Sequence, residues 1–282
     1  MSGGDAMSTS NMLDGISVYE SAFTKSEKTL YQYLKTNIND IIYMSVTELA
    51  ERIEVGESTI LRFCRKVGFT GYQDFKLNVA QHMGIHQNIE VENDKSLNQI
   101  IADALVNSIY KSSMLINQED LRETVGMINS ANRVLFYGVG SSGVAAEEAK
   151  NRFMRIGRKY DAFTDSHFMM MISSTLGPGD LVVAFTLSGG TKDVVDACRV
   201  ATTYGAKVIA ITSYLKSPIT KYAEKTILTS GREGPMEGGS LYAKISQLYI
   251  IDLLFSYTAQ ADLEQSKEYM KRIAQSIADK SY

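Results

Sequence analysis

The chain has 282 residues, 44% of them hydrophobic, which is enough to build a sizeable core in one or two domains. Its formal net charge of −3 excludes a global basic field that would announce a nucleic-acid partner by charge alone, although a few basic residues on one helix would suffice. Cys64 and Cys198 stand far apart without CxxC spacing, so neither a disulfide framework nor a zinc site is expected, and a reducing cytoplasm fits.

The opening "MSGGDAMSTS" lacks the basic and apolar regions of a signal peptide, and residues 1–17 read as a flexible N-terminus. No apolar run approaches the roughly 18 residues a membrane span needs. From 18 to 84, short helical patterns follow one another without a strand. "SEKTLYQYLKTNI" places Leu30, Tyr33, Leu34 and Ile38 on one face, with Ser26 as a candidate cap. "SVTELAERI", "GESTILRFCRKVG" and "GYQDFKLNVAQHM" continue the series. The polar stretch 85–96 reads as a linker. His82 and His86 are spaced i, i+4 but lack an H-E-x-x-H pattern, and with His167 they make no metal cluster.

Residues 97–282 change character. Two amphipathic helices lead into "RVLFYGVG", a buried strand ending in glycine. "KYDAFT", "DLVVAF", "AKVIAIT" and "KTILTS" are further strands, with helical patterns between them and two helices at about 240–259 and 262–280. Five strands alternating with helices predict a doubly wound, five-stranded parallel sheet in an α/β domain behind an all-α head.

Within the head, residues 45–69 predict a helix-turn-helix. Ser45 or Thr47 caps a helix whose inner face carries Leu49, Ala50 and Ile53, and "EVGE" is a tight connection. The second helix is apolar at Ile60, Leu61, Phe63, Cys64 and Val67 and offers Ser58, Thr59, Arg62, Arg65 and Lys66 on its other face. Hydroxyls near its start and cations further along suit a recognition helix, its first turn toward base edges and its cations toward phosphates. The sequence does not separate base from phosphate contact for Arg62 and Arg65, and an ordinary helical pair with a solvated face would show the same periodicity. The segment "TILRFCRKVGFTGYQDFK" resembles the N-terminal domain of RpiR-family transcription regulators through Thr59, Ile60, Arg62, Phe63, Cys64, Gly68, Phe69, Gly71, Tyr72, Phe75 and Lys76. Two positions depart: Glu54 stands where that family's turn usually has Gly, and Gly56 where it commonly has a Ser cap. Phe69, Tyr72 and Phe75 are expected in the core, and Lys76 and Thr47 are further candidates for contact with DNA.

Two loops of the α/β domain predict an anion site. "YGVGSSG" sets Ser141 and Ser142 at a helix N-terminus, where backbone N–H groups and the helix dipole favour negative charge. The order G-x-G-S-S-G fails the dinucleotide fingerprint, so no nicotinamide or other cofactor is expected. "FTLSGGTK" gathers Thr186, Ser188, Gly189 and Thr191 after a buried strand, without a Walker lysine. Capped helices alone would account for either loop; the two together in one sheet favour phosphate binding. The pair resembles the SIS (sugar isomerase) domain, whose phosphate loop commonly reads S-x-S-G-x-T; here Thr186 replaces the first Ser, and Gly190 replaces a larger residue. An RpiR-like head on a SIS domain is the architecture of that whole regulator family.

Isomerisation requires a base beside adjacent carbons. Glu147, Glu148 and His167 read more readily as solvated or capping residues, whereas Glu237, in a Gly-rich loop, is a candidate ligand contact. The expectation is therefore a cytoplasmic, non-enzymatic regulator that binds operator DNA, senses a phosphorylated sugar or amino sugar and acts as a homodimer or higher homo-oligomer. A SIS-type aldose–ketose isomerase with a helical appendage is the alternative.

Overall fold

The computed structural model describes residues 9–83, 96–157, 160–232, 234–236 and 240–278. Its chain divides into two units, residues 1–97 with 233–238 and residues 98–232 with 239–282. The expected linker at 85–96 lies almost wholly outside the described residues.

The first unit is helical: α1 (Thr9–Ser17), α2 (Lys25–Ile41), α3 (Val46–Arg52), α4 (Glu57–Lys66) and α5 (Tyr72–His82). Capping boxes start two of these helices. Thr24 pairs with Glu27 at α2, and Ser45 with Glu48 at α3, each satisfying two backbone donors that a helix start leaves unpaired. Leu30, Leu34, Leu49, Ile60, Phe63, Phe75 and Val79 meet in one buried cluster. The cluster also takes Met12 and Ile16 from α1, so the expectation of a flexible 1–17 is corrected: residues 9–17 form a helix whose i, i+4 apolar pair completes the head's core.

Both helices of the predicted motif end alike. After α3, Val55 N–H reaches Ala50 O at 2.9 Å and Glu54 N–H reaches Glu51 O at 3.2 Å. After α4, Phe69 N–H reaches Cys64 O at 2.9 Å and Gly68 N–H reaches Arg65 O at 3.2 Å. These are Schellman closures, which need a left-handed residue just past the helix. Gly68 fills that position at φ +99°, and Glu54 fills it at φ +54°.

The second unit carries α6 (Leu97–Met114), α7 (Gln118–Ser130), β1 (Arg133–Tyr137), α8 (Ser141–Phe153), β2 (Tyr160–Phe163), α9 (Ser166–Ser173), β3 (Asp180–Phe185), α10 (Lys192–Thr203), β4 (Lys207–Thr212), β5 (Lys225–Leu228), α11 (Leu241–Ala261) and α12 (Leu263–Ile277). The sheet is parallel throughout, ordered β2-β1-β3-β4-β5. Strand side chains alternate between two cores, as a two-residue period dictates. Val134, Phe136, Val183 and Ile209 pack beneath α7, α8 and α11, whereas Leu135, Tyr137, Val182 and Val208 pack beneath α9 and α10. Chain order reverses between β1 and β3, which places the topological switch point at the loops following those two strands. At one end of the sheet, Ser112 Oγ donates to Ser230 Oγ at 2.9 Å and Ser108 Oγ donates to Tyr242 O at 2.8 Å, pinning α6 to the segment after β5.

Among the described residues, no helix is long and apolar enough to cross a membrane, and no group of His, Cys, Asp or Glu side chains is arranged to hold a metal.

Candidate functional site

The recognition-type helix α4 buries Ile60, Phe63 and Cys64 and turns Ser58, Arg62 and Arg65 outward. Their spacing of four and three residues aligns them as one exposed stripe. Thr59 is half-buried, and its hydroxyl accepts from Arg62 Nη2 at 3.4 Å, which steers the guanidinium along that stripe.

The other three expected DNA contacts are engaged inside the head. Thr47 donates its hydroxyl to the Glu57 carboxylate, joining the starts of α3 and α4. Lys66 donates to Glu27 Oε2 at 2.6 Å and to Ala22 O at 3.2 Å, fastening the end of α4 to the start of α2. Burial pushes the Glu27 carboxyl up, but hydrogen bonds from Lys66 and the Thr24 backbone outweigh it and leave the group below its ordinary value. Lys76 is corrected most sharply. It is 4% exposed, and its ammonium donates to Met44 O at 3.2 Å, 5.3 Å from the Tyr72 ring centroid. The Tyr72 hydroxyl, with one proton to share, lies 3.3 Å from both Ile41 O and Met44 O. The G-Y-x-x-F-K run thus satisfies the carbonyls at and beyond the end of α2, where a cation also complements the helix dipole.

In the second unit the β1–α8 loop is set by glycine. Gly140 caps α8 at φ +58°, and a Cβ on Gly138 would stand 2.4 Å from Ser142 O. The α8 start is therefore drawn close against the end of β1. Ser142 is largely buried, and its Oγ accepts from Gln247 Nε2 at 3.1 Å. Ser141 Oγ is buried with no hydrogen-bond partner among the described residues. Gln247, wholly buried on α11, is a feature that the sequence reading missed; inside a helical run, only the rarity of a buried amide would have marked it.

The β3–α10 loop is clamped by the end of β4. Thr186 N–H continues the ladder to Ile211 O at 3.0 Å, Thr212 Oγ1 donates to Leu187 O at 3.1 Å, and Ile219 N–H donates to Gly189 O at 2.9 Å. Thr186 is 1% exposed, and its hydroxyl donates to Thr191 Oγ1 at 3.2 Å, so it supports the loop from within. Thr191 receives that bond at the N-cap of α10, makes no capping bond itself, and keeps its own proton to donate. Ser188 is half-buried and accepts from Gly190 N–H at 3.3 Å. The loops after β1 and β3 each open a helix, and both stand at the switch point, so hydroxyls, backbone donors and two helix dipoles all favour an anion there.

The acid–base candidates stand elsewhere or are engaged. Glu147 pairs with Lys150, Glu148 is exposed, and His167 is exposed in the first turn of α9, whose cap is Asp165. Glu237 lies outside the described residues.

Comparison with known proteins agrees with this division. A model of the rpiR-family helix-turn-helix domain matches residues 10–85, and a SIS-domain model matches residues 127–257. An HTH-type transcriptional regulator of Haemophilus influenzae is 33% identical over 262 residues, spanning 89% of this chain and 91% of that one. The HTH-type transcriptional regulator RpiR of Escherichia coli K12 is 27% identical, with 90% of this chain and 88% of that one covered. Among solved structures, NanR of Vibrio vulnificus complexed with ManNAc-6P superposes with a TM-score of 0.88 at 26% identity, covering 96% of this chain and 99% of NanR. A helical head with an outward basic stripe, joined to a SIS sheet, defines a transcription regulator with a small-molecule module. The chain belongs to the RpiR family of helix-turn-helix transcriptional regulators.

Proposed function

We propose that the SIS unit binds a phosphorylated sugar or amino sugar at the β1 and β3 loops, and that this occupancy sets the affinity of the head for its operator. The observation that carries the reading is the convergence of Ser142, Ser188 and Thr191 with two helix N-termini at the switch point. NanR, similar to this chain over nearly its whole length, is complexed with ManNAc-6P, which makes an N-acetylhexosamine 6-phosphate the first ligand to try. Ligand acts by binding two states of the protein unequally, and DNA must reciprocally change ligand affinity by the same factor.

The reading is of a sensor without turnover. The pairing of Glu147 with Lys150 and the exposure of Glu148 and His167 support that reading, because an isomerase needs a base held against its substrate. A cytoplasmic homodimer or higher oligomer completes the proposal. Val106, Tyr110 and Met114 of α6 are exposed at 65%, 64% and 70%, an apolar helix surface suited to a second copy. The test pairs fluorescence anisotropy on DNA selected by the protein from random sequence, with and without ManNAc-6P, against turnover assays on hexose and pentose phosphates. Turnover without sequence-dependent DNA retention would establish the isomerase instead.

A further inference from the structure

Gln247 makes one side-chain hydrogen bond, from Nε2 to Ser142 Oγ at 3.1 Å, and its Oε1 is buried without a partner among the described residues. Ser141 Oγ, the neighbouring hydroxyl at the start of α8, is likewise buried and unpartnered. A wholly buried amide with its acceptor unmet costs stability, and an apolar side chain of that shape would fit the interior better. An unmet buried acceptor and an unmet hydroxyl side by side at a helix N-terminus call for an explanation, and a site there supplies one.

We infer that Gln247 is a positioning residue of the phosphate site, an inference that rests on the sensing function proposed above. A serine hydroxyl has one proton and two lone pairs. By donating to Ser142 Oγ, the Gln247 amide occupies a lone pair and leaves the Ser142 proton for the ligand. An anion at the α8 N-terminus selects this orientation, because the reversed amide would take that proton for itself. The link also spans 105 residues, joining α11 to the β1–α8 loop, so the direction of one hydroxyl depends on a helix far along the chain.

The experiment measures melting temperature without ligand and ManNAc-6P affinity by calorimetry, for wild type, Gln247→Met, Ser142→Ala and the double variant of the full chain. Gln247→Met melts at or above wild type yet binds the probe about tenfold more weakly, a change of about 1.4 kcal/mol. In the Ser142→Ala background it has no further effect on affinity, because it acts through that hydroxyl. Gln247→Leu, which also removes the donor and adds no buried polar group, weakens binding too and serves if the Met variant does not fold. A lower melting temperature with unchanged affinity would make Gln247 a structural peg, and multiplying effects of the two single variants would make it independent of Ser142; either overturns the inference alone. Failure of the wild type to bind ManNAc-6P and a panel of hexose and pentose phosphates alike would instead overturn the sensing function, and this inference with it.

Discussion

Lys76 Nζ donates to the carbonyl oxygen of Met44 at 3.2 Å, so a cation that reads in sequence as a phosphate contact closes the core of the head. Burial lowers its pKa from 10.5 to about 8, with the Glu48 charge pulling the other way. The folded value lies below the unfolded one, so between about 8 and 10.5 the unfolded chain holds more protons and stability from this group rises with pH. Lys76→Met removes that rise, read as the difference between the two melting temperatures from about pH 7.5 to 10. DNA affinity and its salt dependence stay unchanged. An identical pH profile in the variant would refute the assignment.

Arg62 and Arg65 are the cations on the outward stripe of α4, whereas Lys66 is bound to Glu27. Either arginine changed to Ala weakens operator binding. Loss of a base contact costs about 1–3 kcal/mol and relaxes specificity at one position. Loss of a phosphate contact lowers the slope of log affinity against log salt by roughly one, uniformly across sequences. Lys66→Ala leaves Glu27 buried without its cation, so thermal stability falls while the salt slope holds. A salt slope that dropped for Lys66 and not for Arg65 would reverse these roles.

The sheet and the helix-turn-helix were legible because both are written locally. Strands such as "DLVVAF" are continuous apolar runs, and the α4 pattern repeats within a dozen residues. The fates of Lys66, Lys76 and Gln247 were not legible, because each is decided by a partner 39, 32 or 105 residues away. A lysine facing Glu27 or Met44 has the same local sequence as one facing phosphate. The α1 helix escaped notice for a related reason: Met12 and Ile16 make too sparse a pattern until the core they enter is known.

Glu54 closes α3 at φ +54°, a conformation that favours glycine. Glu54→Gly therefore stabilises the head by about 1 kcal/mol, from the αL penalty for a residue carrying Cβ. It also removes a negative charge from the helix-turn-helix connection, so operator affinity rises, most clearly at low salt. Denaturant titration and anisotropy at two salt concentrations check both parts. A loss of stability would show that the Glu54 side chain contributes more than its backbone costs.

Gly189 and Gly190 are neighbours with opposite tolerance. At Gly189 the backbone is at φ +63°, and a Cβ would meet Ser217 Oγ at 2.0 Å and Thr212 Oγ1 at 3.0 Å. Ser217 is wholly buried, so relief requires the loop to move away from the end of β4. That movement breaks the bond from Ile219 N–H to Gly189 O and displaces Ser188 and Thr191 together. Gly189→Ala therefore costs about 1–3 kcal/mol of stability from backbone strain and abolishes whatever rise in melting temperature a phosphosugar probe gives the wild type. At Gly190 the nearest atoms to a Cβ are 3.9 Å away, on Pro218 and Ser188, and no left-handed backbone is required. Gly190→Ala folds as wild type and keeps the phosphate donors. A larger polar side chain fits the same space, so Gly190→Asn is expected to shift preference among phosphosugars while inorganic phosphate binding is unchanged. Equal damage from the two substitutions would mean that the loop is held by something other than the Gly189 contact with Ser217.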